Sequence, residues 1–225
     1  MLESTMKLAI ISPGYLDSPD YFHLVNIGNR LEKLGYTIKR IDPCGLWENG
    51  DVKNYNTTNY LKTIRDTIDA YKNEELEELV LIGHSFGGFV AMVAGSRFKE
   101  VTKIVSLCPA FSFKSLSKWD ENGIRHSQRD LPNDHSKFRS FDIPVSFCED
   151  RNKYSASTEL KNLHKPLMVF VALDDQKVLL EEIEEEMKVL NNPYIVKMPN
   201  MGHNFRETLE ESNPVADEIE KFLYL

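Results

Sequence analysis

A serine bracketed by glycines is the feature of this sequence that most directly indicates chemistry. Gly83-His84-Ser85-Phe86-Gly87 fits the pattern G-x-S-x-G. In a sharp turn from a strand into a helix, this pattern lifts the serine hydroxyl clear of the sheet. Glycines flank the serine because side chains there would collide across so tight a turn. We therefore predict that Ser85 is a nucleophile, since a plain strand-to-helix loop would not need a glycine on each side of a serine.

The segments on either side of the serine have the composition that such a turn requires. Residues 79–82 form an apolar run typical of a buried parallel strand. Residues 89–94 are apolar and rich in small side chains, as expected for a buried helix. Strand, turn and helix together predict a nucleophile elbow.

A serine hydroxyl is a poor nucleophile without a base and a carboxylate that orients the base. In elbow-containing chains the order is serine, acid, histidine, which places the base after a late strand. His203 alone among the six histidines fits, because it follows the last predicted strand, and Gly202 beside it favours a turn. The other five are His84 inside the elbow with its ring directed away from the hydroxyl, His23 on the first helix, and His126, His135 and His164 in an irregular segment.

The triad also needs an acid, and the negative charge that develops during the reaction needs backbone N–H groups that stabilise it. Ligands bind at the carboxyl ends of parallel strands, so the acid should follow the fifth predicted strand. Asp174 and Asp175 both stand there, and their position alone leaves both open. Two backbone N–H groups must also face the developing negative charge, and the residue after the nucleophile, Phe86, supplies one.

Alternating strands and helices are predicted to position these residues. The helices carry apolar residues at three-four-three spacing over 21–34, over 58–71 with Thr58 as cap, and over 177–190. A closing helix begins with Asn213 as cap and Pro214 in its first turn. The fold class is therefore α/β, a mostly parallel sheet flanked by helices on both faces. The six predicted strands cover residues 7–12, 36–41, 79–82, 101–107, 167–172 and 194–198.

The alternation fails between residues 111 and 165, a stretch too long for an ordinary connection and too aromatic for a disordered linker. We predict that residues 111–165 form a cap, inserted in a single domain, over the carboxyl ends of the strands. Most of its aromatics are expected to form the core of the cap, while Phe111 and Trp119 contact a substrate. Those aromatics are Phe111, Phe113, Trp119, Phe138, Phe141, Phe147 and Tyr154.

Composition excludes several classes of protein. The 225 residues carry a net charge of -8, which argues against a nucleic-acid partner, and no apolar run reaches the length of a membrane span. The amino terminus lacks a basic signal-peptide region, and Cys44, Cys108 and Cys148 show no paired spacing, which predicts a cytoplasmic protein. Neither a zinc-ligand spacing nor a phosphate-binding loop occurs, so no metal or organic cofactor is expected.

The elbow, the turn containing Asp174 and Asp175 and the loop containing His203 together resemble the α/β-hydrolase superfamily. The acid of that family usually stands in a G-x-x-D-x-x-V pattern. Asp175 and Val178 match D-x-x-V, with Ala172 in place of the glycine. The resemblance therefore implies that Asp175, rather than Asp174, completes a Ser-His-Asp triad.

The same resemblance suggests the second backbone donor. Family members usually carry His-Gly and then a large residue after the strand that corresponds to the first strand here. Gly14 and Tyr15 match the last two of these, whereas Pro13 stands in place of the histidine. The N–H of Tyr15 is thus implied as the partner of the Phe86 N–H in an oxyanion hole.

The length and position of the cap resemble those of bacterial feruloyl-type esterases and monoacylglycerol-lipase-like hydrolases. This resemblance implies a serine hydrolase that cleaves a small-molecule carboxylic ester without a cofactor. Two alternatives stay open: a peptidase or amidase with the same triad, and a weakly catalytic ligand-binding receptor of the same fold. The residues do not indicate an oligomeric state.

Overall fold

A computed structural model describes residues 5–112, 118–190 and 192–225. A six-stranded sheet lies at the centre of the protein. The order across this sheet is β2-β1-β3-β4-β7-β8, and all neighbouring strands are parallel. The predicted parallel α/β architecture is confirmed, with each predicted strand present. The strands are β1 (Met6–Ser12), β2 (Tyr36–Arg40), β3 (Leu76–His84), β4 (Lys103–Leu107), β5 (Ile124–Leu131), β6 (Asp134–Pro144), β7 (Leu167–Ala172) and β8 (Tyr194–Met198).

The described residues also form eight α-helices and two short 3-10 turns, at Pro43–Gly45 and Val52–Asn54. Five of the helices cover the sheet, and the other three are short. The helices are α1 (Phe22–Glu32), α2 (Leu46–Asn49), α3 (Thr57–Asp69), α4 (Phe86–Arg97), α5 (Ser146–Arg151), α6 (Ala156–Glu159), α7 (Leu180–Met187) and α8 (Leu209–Leu223).

Two predicted helix caps are wrong. Asn56, rather than Thr58, caps α3 by accepting the N–H of Asn59 at 2.8 Å, because the Thr58 hydroxyl is used in a hydrogen bond to Asp150. The last helix begins at Leu209 with Thr208 as its cap, so Asn213 and Pro214 lie inside it. Both errors arise where several residues able to cap a helix stand close together in the sequence.

Alternate residues along the strands build two apolar layers. On β1, Leu8 and Ile10 belong to the layer covered by α3, α4 and α7, whereas Ala9 and Ile11 belong to the layer covered by α1 and α8. Strand residues point alternately to opposite faces of a sheet, so near-continuous apolar strands are buried on both sides. This burial explains why the strands were visible in the sequence.

Residues 111–165 contain regular structure that the sequence did not reveal. The strands β5 and β6 form a separate antiparallel hairpin, here called the cap hairpin, and α5 and α6 follow it. Most residues of both strands are exposed or half-buried, so their sequence lacks the alternation of a strand with one buried face. Of the aromatics assigned to the cap, Phe113 lies outside the described residues.

The described aromatics of the cap do not form a separate core. Phe141 and Phe147 are buried in the same layer as α3 and α4. The ring of Phe147 stacks on Tyr55 with centroids 5.6 Å apart. The segment is therefore anchored by side chains that enter the main core.

None of the described helices combines the length and the apolar character needed to cross a bilayer.

We predict that Phe147→Ala lowers the free energy of unfolding by about 3–5 kcal/mol, because it leaves a large cavity among the rings of Tyr15, Tyr55 and Phe86. Phe138→Ala is the matched control, since Phe138 is 60% exposed. Its effect should stay within about 0.5 kcal/mol. Urea titration monitored by circular dichroism measures both, and equal midpoints for the two variants would contradict the assignment of Phe147 as the anchor.

Candidate active site

Ser85 occupies a strained turn between β3 and α4. Its backbone angles are φ 55° and ψ -118°, a conformation that non-glycine residues rarely adopt. The surrounding backbone holds it there: the Ser85 N–H donates to the carbonyl of Leu107 at 2.7 Å, and the Ala110 N–H donates to the carbonyl of Ser85 at 3.1 Å. The end of β4 thus fixes the position of the serine.

The glycines of the motif are required by close backbone contacts. A Cβ atom at Gly83 would lie 2.1 Å from the carbonyl oxygen of Gly87. A Cβ atom at Gly87 would lie 2.2 Å from the carbonyl oxygen of Pro13. Since neither neighbour is a flexible side chain, only glycine fits at these two positions.

The three predicted triad residues lie together. His203 Nε2 is 2.9 Å from Ser85 Oγ, and His203 Nδ1 is 2.6 Å from Asp175 Oδ2. All three residues are buried. Asp174, the other candidate acid, is exposed, and its N–H donates to the carbonyl of Met201. Of the two candidate aspartates, Asp175 is therefore the one whose carboxylate contacts His203.

The environment of Asp175 keeps its carboxylate ionised. Burial opposes the charge, but hydrogen bonds from His203 and from the backbone N–H groups of Val178 and Lys177 outweigh it, so the pKa of Asp175 lies below its ordinary value. The two backbone donors lie 2.9 and 2.8 Å from Oδ1. A carboxylate in this state holds the proton on Nδ1 and leaves Nε2 free to accept the proton of Ser85.

Backbone hydrogen bonds join the acid turn (residues 173–178) to the histidine loop (residues 199–204). The Leu173 N–H donates to the carbonyl of Met198, and the Asp174 N–H donates to that of Met201, both at 2.9 Å. Within the histidine loop Asn200 adopts the left-handed conformation with φ 56°, whereas Gly202 does not. Asparagine tolerates that conformation, so the left-handed residue of this loop is Asn200 rather than the glycine.

His84 has a positioning role that the sequence did not reveal. Its Nε2 lies 3.0 Å from the backbone carbonyl of His203, and because a carbonyl only accepts, Nε2 must carry the proton. Burial and the neighbouring His203 lower the pKa of His84 to about 3, so its ring is neutral and has a single N–H to donate. His84 thus restrains the backbone of His203.

The N–H of Phe86 lies at the start of α4, directly after Ser85. Helices do not use the N–H groups of their first turn internally, and the amino-terminal end of a helix favours negative charge. Phe86 therefore stands where an N–H could face an oxyanion formed at Ser85.

The second predicted donor, Tyr15, belongs to the β1 loop (residues 13–17). Arg129 of the cap hairpin donates to the Tyr15 carbonyl at 2.8 Å, and Leu16 in this loop has a left-handed φ of 60°. Side-chain hydrogen bonds from the body of the protein also hold the loop. These bonds join Tyr60 Oη to the Pro13 carbonyl at 2.8 Å, the Leu16 N–H to Tyr55 Oη at 2.9 Å, and Trp47 Nε1 to the Leu16 carbonyl at 3.1 Å.

A cavity of about 520 Å³, here called the site cavity, opens onto Ser85 and His203. The cap hairpin, the acid turn and the β1 loop all contribute to its wall. The remaining lining residues are Tyr15, Asp17, Ala110, Ser112, Gln128, Arg129, Asp130, Phe138, Gln176, Lys177, Val178, Asn204 and Arg206.

Phe111 and Trp119, the two aromatics predicted to contact a substrate, do not line the site cavity. Phe111 is buried against Phe89, with ring centroids 5.9 Å apart, and Trp119 packs half-buried on the main core. Phe138 of the cap hairpin is the phenylalanine in the wall of the site cavity. Composition could not distinguish these aromatics, because which of them reaches the cavity depends on the pairing of β5 with β6.

Among the described residues, one cluster has side chains grouped closely enough to hold a metal ion: Cys108, Asp175 and His203. Two of these residues are already joined by the hydrogen bond between Nδ1 and Oδ2. Burial raises the pKa of the Cys108 thiol, which disfavours the thiolate that a metal requires. The donor atoms therefore fit a triad better than a metal centre.

Comparison with known proteins identifies the family. The family model described as the alpha/beta hydrolase fold matches residues 10–169, so the chain belongs to this family. The resemblance noted from the elbow, the acid turn and the histidine loop is confirmed. No curated protein matches the sequence.

Several solved structures share the fold. Est1E from Butyrivibrio proteoclasticus with ferulic acid bound is 19% identical, with a TM-score of 0.76 over 98% of this chain and 89% of that one. The alpha/beta hydrolase GrgF from Penicillium sp. sh18 is 16% identical, with a TM-score of 0.77 over 98% and 90%. The esterase domain of a Rhodothermus marinus protein is 19% identical, with a TM-score of 0.71 over 98% and 88%. Family and fold together support hydrolysis as the class of reaction.

We predict that Asp175→Asn slows the reaction of Ser85 with a fluorophosphonate by roughly 10⁴, because an amide at this position leaves His203 in the wrong tautomer. Asp174→Asn is the matched control and should react at nearly the wild-type rate. Intact-protein mass spectrometry over time measures both rates. If Asp174→Asn were the slower variant while both remained folded, the assignment of the acid would be wrong.

Proposed function

We propose that this protein is a serine hydrolase that cleaves small-molecule carboxylic esters through an acyl-enzyme. The observation that carries the proposal is the hydrogen-bonded chain from Ser85 Oγ through His203 to Asp175, with distances of 2.9 and 2.6 Å. Ser85 and His203 both line the site cavity. Pockets of this size accept small molecules.

In the proposed reaction Ser85 Oγ attacks the acyl carbon of the ester while His203 Nε2 accepts the hydroxyl proton. Asp175 stabilises the imidazolium that forms. Collapse of the tetrahedral intermediate breaks the bond to the alcohol, which takes the proton from His203. Water then attacks the acyl-enzyme by the same route and releases the carboxylic acid and Ser85.

The N–H groups of Phe86 and Tyr15 stabilise the oxyanion in this proposal. Donors that are already fixed in place cost no reorganisation as the charge develops, and removing one such donor typically costs about 10²–10³ in kcat. The hydrogen bonds to Pro13, Tyr15 and Leu16 support this role, since they restrain the loop that carries the second donor.

Esters are favoured over amides on the strength of fold neighbours. One of these is an esterase domain, and another, Est1E, holds ferulic acid. Parallel assays with nitrophenyl esters and aminoacyl anilides distinguish an esterase from a peptidase, and retention of ligand after a single slow turnover would indicate a receptor.

We also propose a cytoplasmic location. Cys44, Cys108 and Cys148 are free thiols. Structural disulfides are typical of oxidising compartments and rare in the cytoplasm.

We predict that a fluorophosphonate labels Ser85 and that Ser85→Ala abolishes both labelling and ester cleavage. Removal of the nucleophile of a triad lowers kcat by roughly 10⁴–10⁶. Peptide mapping of the labelled protein identifies the modified serine, and circular dichroism checks that the variant is folded. Labelling at a different serine would refute the proposed mechanism.

We propose that residues 111–165 act as a cap that selects the substrate, and we predict that Phe138→Ala changes the ranking of esters by acyl group. A lost apolar contact in a pocket is worth about 1–3 kcal/mol between neighbouring substrates. Trp119→Ala is the control, because Trp119 packs on the core outside the site cavity. Values of kcat/KM across a series of nitrophenyl esters measure the ranking. An unchanged ranking in Phe138→Ala would place the acyl pocket elsewhere.

A further inference from the structure

The charged residues of the site cavity are not fully paired with one another. Arg129 donates to Asp17 at 3.1 Å, and Arg206 donates to Asp130 at 2.7 Å. Lys177 lines the same cavity, but among the described residues it forms no ion pair, and its polar side-chain partner is the amide oxygen of Asn204 at 3.3 Å. The described part of the cavity wall therefore carries one positive charge more than its ion pairs neutralise.

Asp17 and Asp175 lie near enough for their charges to favour the Lys177 ammonium, but among the described residues no aspartate forms an ion pair with it. The carboxylate of Asp175, two residues before Lys177, is engaged by His203 and by two backbone N–H groups. Asp174 is exposed and, within the described part of the chain, forms no ion pair with Lys177. A carboxylate paired directly with the Lys177 ammonium would thus have to come from a bound molecule.

The surroundings of Lys177 favour such a molecule. Lys177 is exposed, yet the protein around it removes part of its water, and this loss and the positive charges of Arg129 and Arg206 lower its pKa against the opposing charges of Asp17 and Asp175. The charged ammonium is therefore less stable here than in water, and a bound anion would offset that cost. Gln128, Gln176 and Asn204 line the same cavity and add side-chain amides that can donate hydrogen bonds.

We propose that Lys177 recognises a carboxylate on the substrate, so that the preferred esters carry a negative charge away from the bond that is cleaved. A single surplus cation matches a monoanion better than a doubly charged phosphate. The inference rests on the proposed ester hydrolysis and names the class of substrate for it.

The test compares charged and neutral esters that are otherwise alike. One pair places the charge on the acyl side: mono-para-nitrophenyl adipate and the para-nitrophenyl ester of adipic monoamide. The other places it on the alcohol side: para-acetoxybenzoate and para-acetoxybenzamide. The measured quantity is the ratio of kcat/KM for the charged ester to that for the neutral one, taken for each variant, so that intrinsic differences in ester reactivity cancel between variants.

We expect this ratio, in at least one pair, to be about fivefold higher in the wild type than in Lys177→Met, the upper range for an exposed ion pair. Lys177→Arg should keep most of the preference, and Lys177→Glu should favour the neutral ester. Lys188→Met is the matched control, because Lys188 is an exposed lysine paired with Glu185 on the protein surface. In the wild type the preference should also shrink in about 1 M salt, where the Debye length is roughly 3 Å.

The outcomes separate this inference from the proposed function. If Ser85 is labelled by a neutral fluorophosphonate and all four esters are cleaved, but Lys177→Met keeps the wild-type ratio in both pairs, the carboxylate site is refuted and the hydrolase remains. An equal fall of the ratio in Lys188→Met would also refute it, because the effect would then come from net charge. If Ser85 is not labelled and no ester is cleaved, the proposed function itself fails.

Discussion

The contact of backbone with backbone around Ser85 is the constraint on which the rest of the site depends. Gly83, Gly87 and Pro13 approach so closely that no Cβ atom fits at either glycine. This contact brings the start of α4 against the loop that follows β1. Because that loop carries Tyr15, the two N–H groups proposed to stabilise the oxyanion are brought near one serine by the same close packing.

The parallel sheet assembles the remaining groups. Ser85 and His203 lie 118 positions apart in the sequence, yet they hydrogen-bond because β3 and β8 end at the same edge of the sheet. Asp175 follows β7, which lies beside β8. The backbone bonds between the acid turn and the histidine loop, and the bond from His84 to the His203 carbonyl, restrain this arrangement at distances suited to proton transfer.

In the proposed mechanism the cap hairpin supplies recognition rather than chemistry. It contributes Gln128, Arg129, Asp130 and Phe138 to the site cavity, while the proposed triad stands on the loops of the sheet. Arg129 connects the two parts, since it binds Asp17 and the carbonyl of Tyr15 at once. A change in the cap could therefore alter the position of the β1 loop as well as the shape of the cavity. The shape of the cavity affects which substrate binds, and the position of the loop affects the rate, so selectivity and rate are linked in such a site.

The sequence by itself determined the parallel α/β fold, the sharp turn at Ser85 and the histidine that contacts this serine. Each is encoded locally: buried strands as apolar runs, the tight turn as glycines, and His203 by its place after the last strand. Tertiary structure decided the rest. Asp175 is distinguished from Asp174 by burial and hydrogen bonding, and Phe138 from Phe111 and Trp119 by the pairing of an exposed hairpin. The unpaired charge of Lys177 is likewise visible only once Arg129 and Arg206 have found their carboxylates. Such choices depend on contacts between residues distant in sequence, which no local pattern of residue types encodes.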